Sequence, residues 1–194
     1  MTAKVVTDQT FRNYGGTDMC RFDSNIDGDE AAPRQYRVRR AMPMEEFVNQ
    51  VAEDIGQDPR KIRLWLMVNR QNKTIRPDQP IMDLRPTVED VYSRSAAHRD
   101  TCLRVWAEVA NVFDADDEPV WPSYQSPSSN AAKEDTILLL LKHFDIAEQT
   151  LRGVGHVYMT KDKKVEDMVP HILKTMGWGE KLNDDEKLLL WEVR

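Results

Sequence analysis

Apolar side chains at Met44, Phe47, Val48, Val51, Ala52 and Ile55 fall at i, i+3, i+4, i+7, i+8 and i+11. That spacing lays one continuous apolar stripe along a helix. Pro43 suits its first turn, and Gly56 suits a left-handed residue just past its last. The same offsets return at Val165, Met168, Val169, Ile172, Leu173 and Met176, and Gly177 stands where Gly56 does. Pro170 falls inside the second stripe, where its ring clashes with a carbonyl one turn back, so a kink is predicted there.

Period-2 alternation and β-forming residues predict strands on either side of each helix. "AKVVTDQTF" reads as a first strand, a polar Gly-containing loop follows, and "RQYRVRR" reads as a second. After the helix come "KIRLWLMV", an irregular Pro-rich stretch, and a last strand in "TCLRVWAEVANV". "DADDEPVWPSYQSPSSNAAKED", Asp114 to Asp135, has no period and is rich in Pro, Ser and acids, the composition of a linker. The order then repeats: "DTILLLLKHF" as a strand, "DIAEQTLRGVG" as a turn region, "HVYMTK" as the returning strand, the second helix, and "KLLLWEV" answering "KIRLWLM". Strand, strand, helix, strand, strand is not βαβ alternation; it predicts an α+β class with a mixed sheet folded over one helix. Ubiquitin has this order. The chain is therefore read as two β-grasp modules in tandem, 1–113 and 136–194, with a linker at 114–135.

Several segments resemble one family in particular. "RKIRLWLM", "LKHFDIAEQTLRGVGHVYMTKDKKVEDMVPHIL" and "LLLWEV" are similar to the tandem ubiquitin-like region behind the catalytic domain of the herpesvirus-associated ubiquitin-specific proteases. "MTAKVVTDQTF" and "NYGGTDM" share the resemblance, and the pattern around Gly155, His156 and Tyr158 after Leu-Lys-x-Phe-Asp is its most specific part. The resemblance implies a cysteine-type deubiquitinase as the parent enzyme, with its catalytic domain upstream and this region recruiting substrates and supporting activity. It also implies protein partners, lysine-rich peptides among them, bound through an acidic surface of the second module. Two cysteines too far apart to suggest a disulfide framework point separately to a reducing compartment, nucleus or cytoplasm. In the family the second module continues beyond the strand matching "LLLWEV". The second copy is thus expected to lack its last strand, leaving "KLLLWEV" and "TILLLLKHF" with unpaired edges.

Charge adds to the division. Residues 1–113 carry 17 basic and 17 acidic side chains, whereas 114–194 carry 10 and 16, so the whole net charge of −6 lies in the second part. An acidic field favours basic peptides over nucleic acid. Arg37 and Arg39 do make one face of "RQYRVRR" basic, but no aromatic stacking platform accompanies them, and a solvated strand face is the better reading. The longest apolar run, "ILLLL", is far below the roughly 18 residues that span a membrane, and no apolar leader opens the chain.

Candidate chemistry is sparse. Asp23, Asn25, Asp27 and Gly28 match the first half of a calcium loop, yet the twelfth position is Arg34 where a bidentate glutamate is required. No metal or cofactor is expected. Cys20 and Cys102 are the only thiols, and His98, His143, His156 and His171 fall in no local catalytic signature, so no catalytic residue is assigned. The alternative, a thiol-dependent ubiquitin hydrolase acting through Cys20 or Cys102, stands against that reading. A conjugated modifier does not fit "LLLWEVR", which has no diglycine tail. Partner-binding candidates are Trp65 and Trp191, which strand alternation turns away from the helix onto an outward face. The acids Asp162, Glu166 and Asp167 at the second helix, and Asp184, Asp185 and Glu186 before the last strand, complete the set. Acids at a helix start also complement its dipole, a purely structural reason for Glu166 and Asp167.

Overall fold

The computed structural model describes residues 1–24, 26, 28–70, 74–94, 101–122, 136–179, 182 and 187–191. Five strands form one mixed sheet: β1 (Thr2–Val6), β2 (Arg34–Arg37), β3 (Ile62–Asn69), β4 (Ile75–Pro80) and β5 (Leu103–Val109). Their lateral order is β2-β1-β5-β3-β4, with β1 and β5 parallel and the other neighbours antiparallel. A separate antiparallel pair joins β6 (Thr136–Asp145) to β7 (Thr150–Thr160). The chain is thus of mixed α+β class. Among the described residues, no helix is long and apolar enough to cross a membrane.

The first strand is shorter than its alternation predicts. Thr7 is extended, and its hydroxyl accepts from the Thr10 N–H at 3.2 Å, an N-cap that starts helix α1 (Asp8–Asn13) where a strand is expected to continue. Helix α2 (Met44–Ile55) follows its stripe: Met44, Phe47, Val48, Val51 and Ala52 are buried. They pack on Ala3 and Val5 of β1, Ile62, Leu64 and Leu66 of β3, and Leu103, Val105 and Ala107 of β5. Gly56 closes α2 at φ 70°, donating its N–H to the carbonyls of Ala52 and Glu53. Tyr36 of β2 stands edge-on to Phe47 at 5.7 Å and donates its hydroxyl to Asp54 at 2.5 Å, tying the sheet edge to the helix end.

The Pro-rich stretch, expected to be irregular, holds two elements. β4 is an edge strand, the place where Pro77 and Pro80 are tolerated. Helix α3 (Val88–Arg94) starts with a reciprocal cap: Thr87 Oγ1 accepts from the Asp90 N–H at 3.1 Å and Asp90 Oδ2 accepts from the Thr87 N–H at 3.1 Å.

In the β6–β7 pair the turn shrinks to residues 146–149, and β7 already begins at Thr150, so half of the expected turn region is strand. The second helix is also shorter than its stripe. Val165–Met168 is a 3₁₀ turn, and α4 (Val169–Met176) begins with Pro170 in its first turn. A proline there sacrifices no helical hydrogen bond, so a change of helix type replaces the predicted kink. Gly177 ends α4 at φ 69°, repeating Gly56. Ile172 and Leu173 are buried, as are Val157 and Met159 of β7 on which α4 packs. Residues 187–191 form no strand, unlike the expected "KLLLWEV" strand; Leu189, Leu190 and Trp191 are exposed. No described strand lies alongside to pair their backbone groups, and a strand without a partner leaves its N–H and C=O groups to water.

Phe47 is fully buried at the centre of the α2 core. Phe47→Ala is expected to lower stability by about 3–5 kcal/mol, measured by urea unfolding followed through far-UV circular dichroism.

Candidate functional site: a polar joint between sheet and hairpin

Strand parity gives the sheet a second face. Opposite the α2 side, β3 presents Arg63, Trp65 and Met67, and β5 presents Trp106 and Glu108. Trp65 and Trp106 are 0% and 1% exposed, with ring centroids 6.0 Å apart. Val6, Phe11, Met19, Cys20 and Phe22 join them in a second core, and Leu138, Leu140 and Tyr158 of the β6–β7 hairpin pack against it.

Glu108 is the polar centre of this joint, 1% exposed. Its Oε2 accepts from Arg63 Nε at 2.5 Å and Trp65 Nε1 at 2.6 Å, and its Oε1 accepts from the Tyr158 hydroxyl at 2.6 Å. Arg63 also donates to the Tyr158 oxygen at 2.9 Å, so strand β7 is held by both members of the ion pair. His156 Nε2 stands 3.1 Å from Glu108 Oε1. The His156 ring meets Trp106 edge-on at 5.1 Å. Burial alone would raise the Glu108 carboxyl, but His156, Arg63 and Tyr158 together outweigh it and hold the group below its ordinary value. Asp8 shifts the other way, raised by burial against the pull of His156 and Arg12.

Two further features fix the hairpin. Gly153 of β7 lies against Phe11, and a Cβ there would sit 2.4 Å from the Phe11 carbonyl oxygen. Lys142 of β6 donates to the carbonyls of Tyr14 and Gly16. The segment leaving β5 also folds back. Asp114 Oδ1 accepts from the N–H groups of Asp116 and Glu118, Arg60 pairs with Glu118 at 2.8 Å, and the Trp121 ring lies 4.5 Å from the Arg63 guanidinium. Arg63 therefore touches the sheet, the hairpin and the connecting segment at once.

The sequence-predicted site residues scatter. Trp65 faces away from α2 as alternation requires, but it lies under the hairpin and not on an open surface. Trp191 is 84% exposed and belongs to no strand, so it does not share Trp65's register. Asp162, Glu166 and Asp167 are exposed, and each has a local partner. A hydrogen bond from Thr160 lowers the Asp162 carboxyl, Glu166 pairs with Lys164 at 3.3 Å, and Asp167 Oδ2 accepts from the Lys164 N–H at 2.8 Å. Asp184, Asp185 and Glu186 lie outside the described residues, as do Asn25 and Asp27 of the half calcium loop. Both thiols are buried, and burial with Asp18 nearby pushes that of Cys20 far up. Sequence reading missed Glu108; its signal was an acid at an alternating position between Trp106 and Val109, in a strand whose other charged residue is Arg104.

Residues 62–193 match the family described as the ICP0-binding domain of ubiquitin-specific protease 7. Curated relatives agree. Ubiquitin C-terminal hydrolase 13 of Arabidopsis thaliana is 28% identical over 166 residues, covering 84% of this chain and 14% of the relative. Ubiquitin C-terminal hydrolase 12 of the same plant is 28% identical over 192 residues, covering 97% and 16%. Ubiquitin carboxyl-terminal hydrolase 15 of Schizosaccharomyces pombe is 24% identical over 176 residues, covering 91% and 15%. The chain thus spans only 14–16% of the length of these relatives.

Gly153→Ala is expected to force the hairpin away from α1, seen as a red shift of tryptophan emission as Trp65 and Trp106 meet water. The Glu108 carboxylate contributes stability in full above its ordinary value of 4.5 and loses it as the pH falls through its lowered folded value. Glu108→Gln removes the charge that Arg63 is buried against, and a loss of about 3–5 kcal/mol is expected near neutral pH. The difference between wild type and Glu108→Gln should stay constant from neutral pH down to 4.5 and shrink below it, as paired urea titrations across pH 3 to 7 would show.

Proposed function

We propose that this chain, which belongs to the family described as the ICP0-binding domain of ubiquitin-specific protease 7, is a non-catalytic interaction and regulatory region of a ubiquitin carboxyl-terminal hydrolase. In this reading residues 1–113 and 136–194 are two ubiquitin-like, β-grasp modules joined by 114–135. The central parallel β1–β5 pair, helix α2 across one face of the sheet and the matched helix ends at Gly56 and Gly177 support it. The parent enzyme is a cysteine-type deubiquitinase of nucleus and cytoplasm, and this region recruits protein partners to it and contacts its catalytic domain. The name of the matching family, a binding domain, is in keeping with that role.

The observation that carries the proposal is the joint. The sheet face bearing Arg63, Trp65, Trp106 and Glu108 holds the second unit in place, and its polar groups bond to one another. A joint built this way orients two surfaces toward partners. Lysine-rich peptides would be met by the exposed acids Asp162, Glu166 and Asp167, the acidic excess of the chain itself lying mostly in 114–135, which carries six acids and one lysine.

Titration of a lysine-rich peptide at low and high salt is expected to show binding that weakens with salt and on charge reversal of Glu166 and Asp167. Salt-independent binding, or none, would remove the acidic surface from the proposal. A fluorogenic ubiquitin ester separates the thiol-hydrolase alternative: no turnover is expected, and turnover abolished by Cys20→Ser or Cys102→Ser would overturn the non-catalytic reading.

A further inference from the structure

We propose that the start of β3 is a receptor surface for an acidic segment ending in tryptophan. The chain's own residues 113–121 occupy it as a strap, and a partner segment of the same chemistry displaces them. Three cations stand there: Arg60 and Lys61 of the 3₁₀ turn Pro59–Lys61, and Arg63 of β3. The strap is their complement. It carries Asp114, Asp116, Asp117 and Glu118 and no basic residue. Asp117 pairs with Lys61 and Glu118 with Arg60 at 2.8 Å, while the Phe113 ring centroid lies 4.7 Å from Lys61 Nζ. The Trp121 ring ends the contact, 4.5 Å from the Arg63 guanidinium.

Two properties make the strap exchangeable. Its shape is its own: Phe113 bridges to Pro119, the Asp114 N–H donates to the Glu118 carbonyl at 3.0 Å, and the Val120 N–H donates to the Val112 carbonyl at 2.9 Å. Leaving the cations therefore breaks none of these bonds. Its ion pairs are also at the surface, with Arg60, Glu118 and Asp117 side chains 65%, 50% and 74% exposed, and pairs of that kind are screened and individually weak. Selectivity comes from Arg63. That side chain is buried, paired with Glu108 and flanked by the rings of Trp65 and Tyr158. A further ring on a guanidinium so far removed from water binds more tightly than one at an open site. The surface thus selects carboxylates followed three residues later by tryptophan, the spacing of Glu118 and Trp121. Such a partner is opposite in charge to the lysine-rich peptides above and is met by different residues, so either reading can fail alone.

The test titrates a synthetic peptide of sequence FDADDEPVW, residues 113–121, into the whole ¹⁵N-labelled chain and follows its amide resonances. Two forms are compared: wild type, and an opened chain carrying Asp117→Ala, Glu118→Ala and Trp121→Ala, three positions outside both cores. Saturable shifts at residues 60–63 are expected in the opened chain, half-complete at about a millimolar of peptide and weaker as salt is raised. Wild type should need at least about threefold more peptide, because its tethered strap competes at an effective concentration of millimolar order. A peptide with alanine in place of its tryptophan should bind at least about threefold more weakly. Should the triple variant not fold, Glu118→Lys alone replaces it, its side chain being half exposed. No saturable shift in the opened chain, equal affinity for both forms, or equal binding by the peptide without its tryptophan would each overturn the proposal.

Discussion

A carboxylate that is 1% exposed cannot be left without partners, and the arrangement of this chain follows from how Glu108 is satisfied. Two donors come from β3, in Arg63 and Trp65, and a third from β7, in Tyr158. Desolvating the carboxylate is costly, and separating the hairpin from the sheet would strip it of one of its bonds while leaving Arg63 half-satisfied. Apolar packing alone would let two sheets slide over one another. Directional bonds of 2.5–2.6 Å to a fixed carboxylate do not.

The two faces of the five-stranded sheet consequently have different jobs. The α2 face is a hydrophobic core closed by α2 and, at Val88, by the start of α3, with Tyr36 and Phe47 among its aliphatic side chains. On the opposite face, tryptophans and an ion pair receive the hairpin, whose own outer side is covered by α4. Close approach is possible because β7 carries Gly153 where any larger residue would strike the Phe11 backbone. Trp121 then stacks on Arg63, so the segment leaving β5 is drawn to the same guanidinium that binds Tyr158 of the hairpin.

Much of this was legible from residue order. The 3.6-residue period from Met44 fixed α2 and the face it buries, the glycines at 56 and 177 marked both helix ends, and period-2 alternation correctly sorted Ile62, Leu64 and Leu66 from Arg63, Trp65 and Met67. These features are local: each depends on backbone geometry and on side chains within a turn or two. The shortening of the first strand was hidden because Thr7 offers its hydroxyl to a backbone N–H, a capping choice that competes with alternation. The Pro-rich stretch concealed β4 and α3 because an edge strand and a capped short helix need little periodic signal.

What covers a face is a different matter. Alternation showed that Trp65 turns away from α2, but only the folded chain decided that a hairpin more than 70 residues further on would bury it. The same holds for Glu108, whose buried place on β5 is intelligible only beside Tyr158 and His156. Trp191, which repeats Trp65 in sequence, is exposed because no described strand pairs with its segment. By itself the sequence determined which side chains share a face, since that is set by the repeat of the backbone. The tertiary structure decided which faces meet, since burial and charge pairing are settled between residues far apart along the chain.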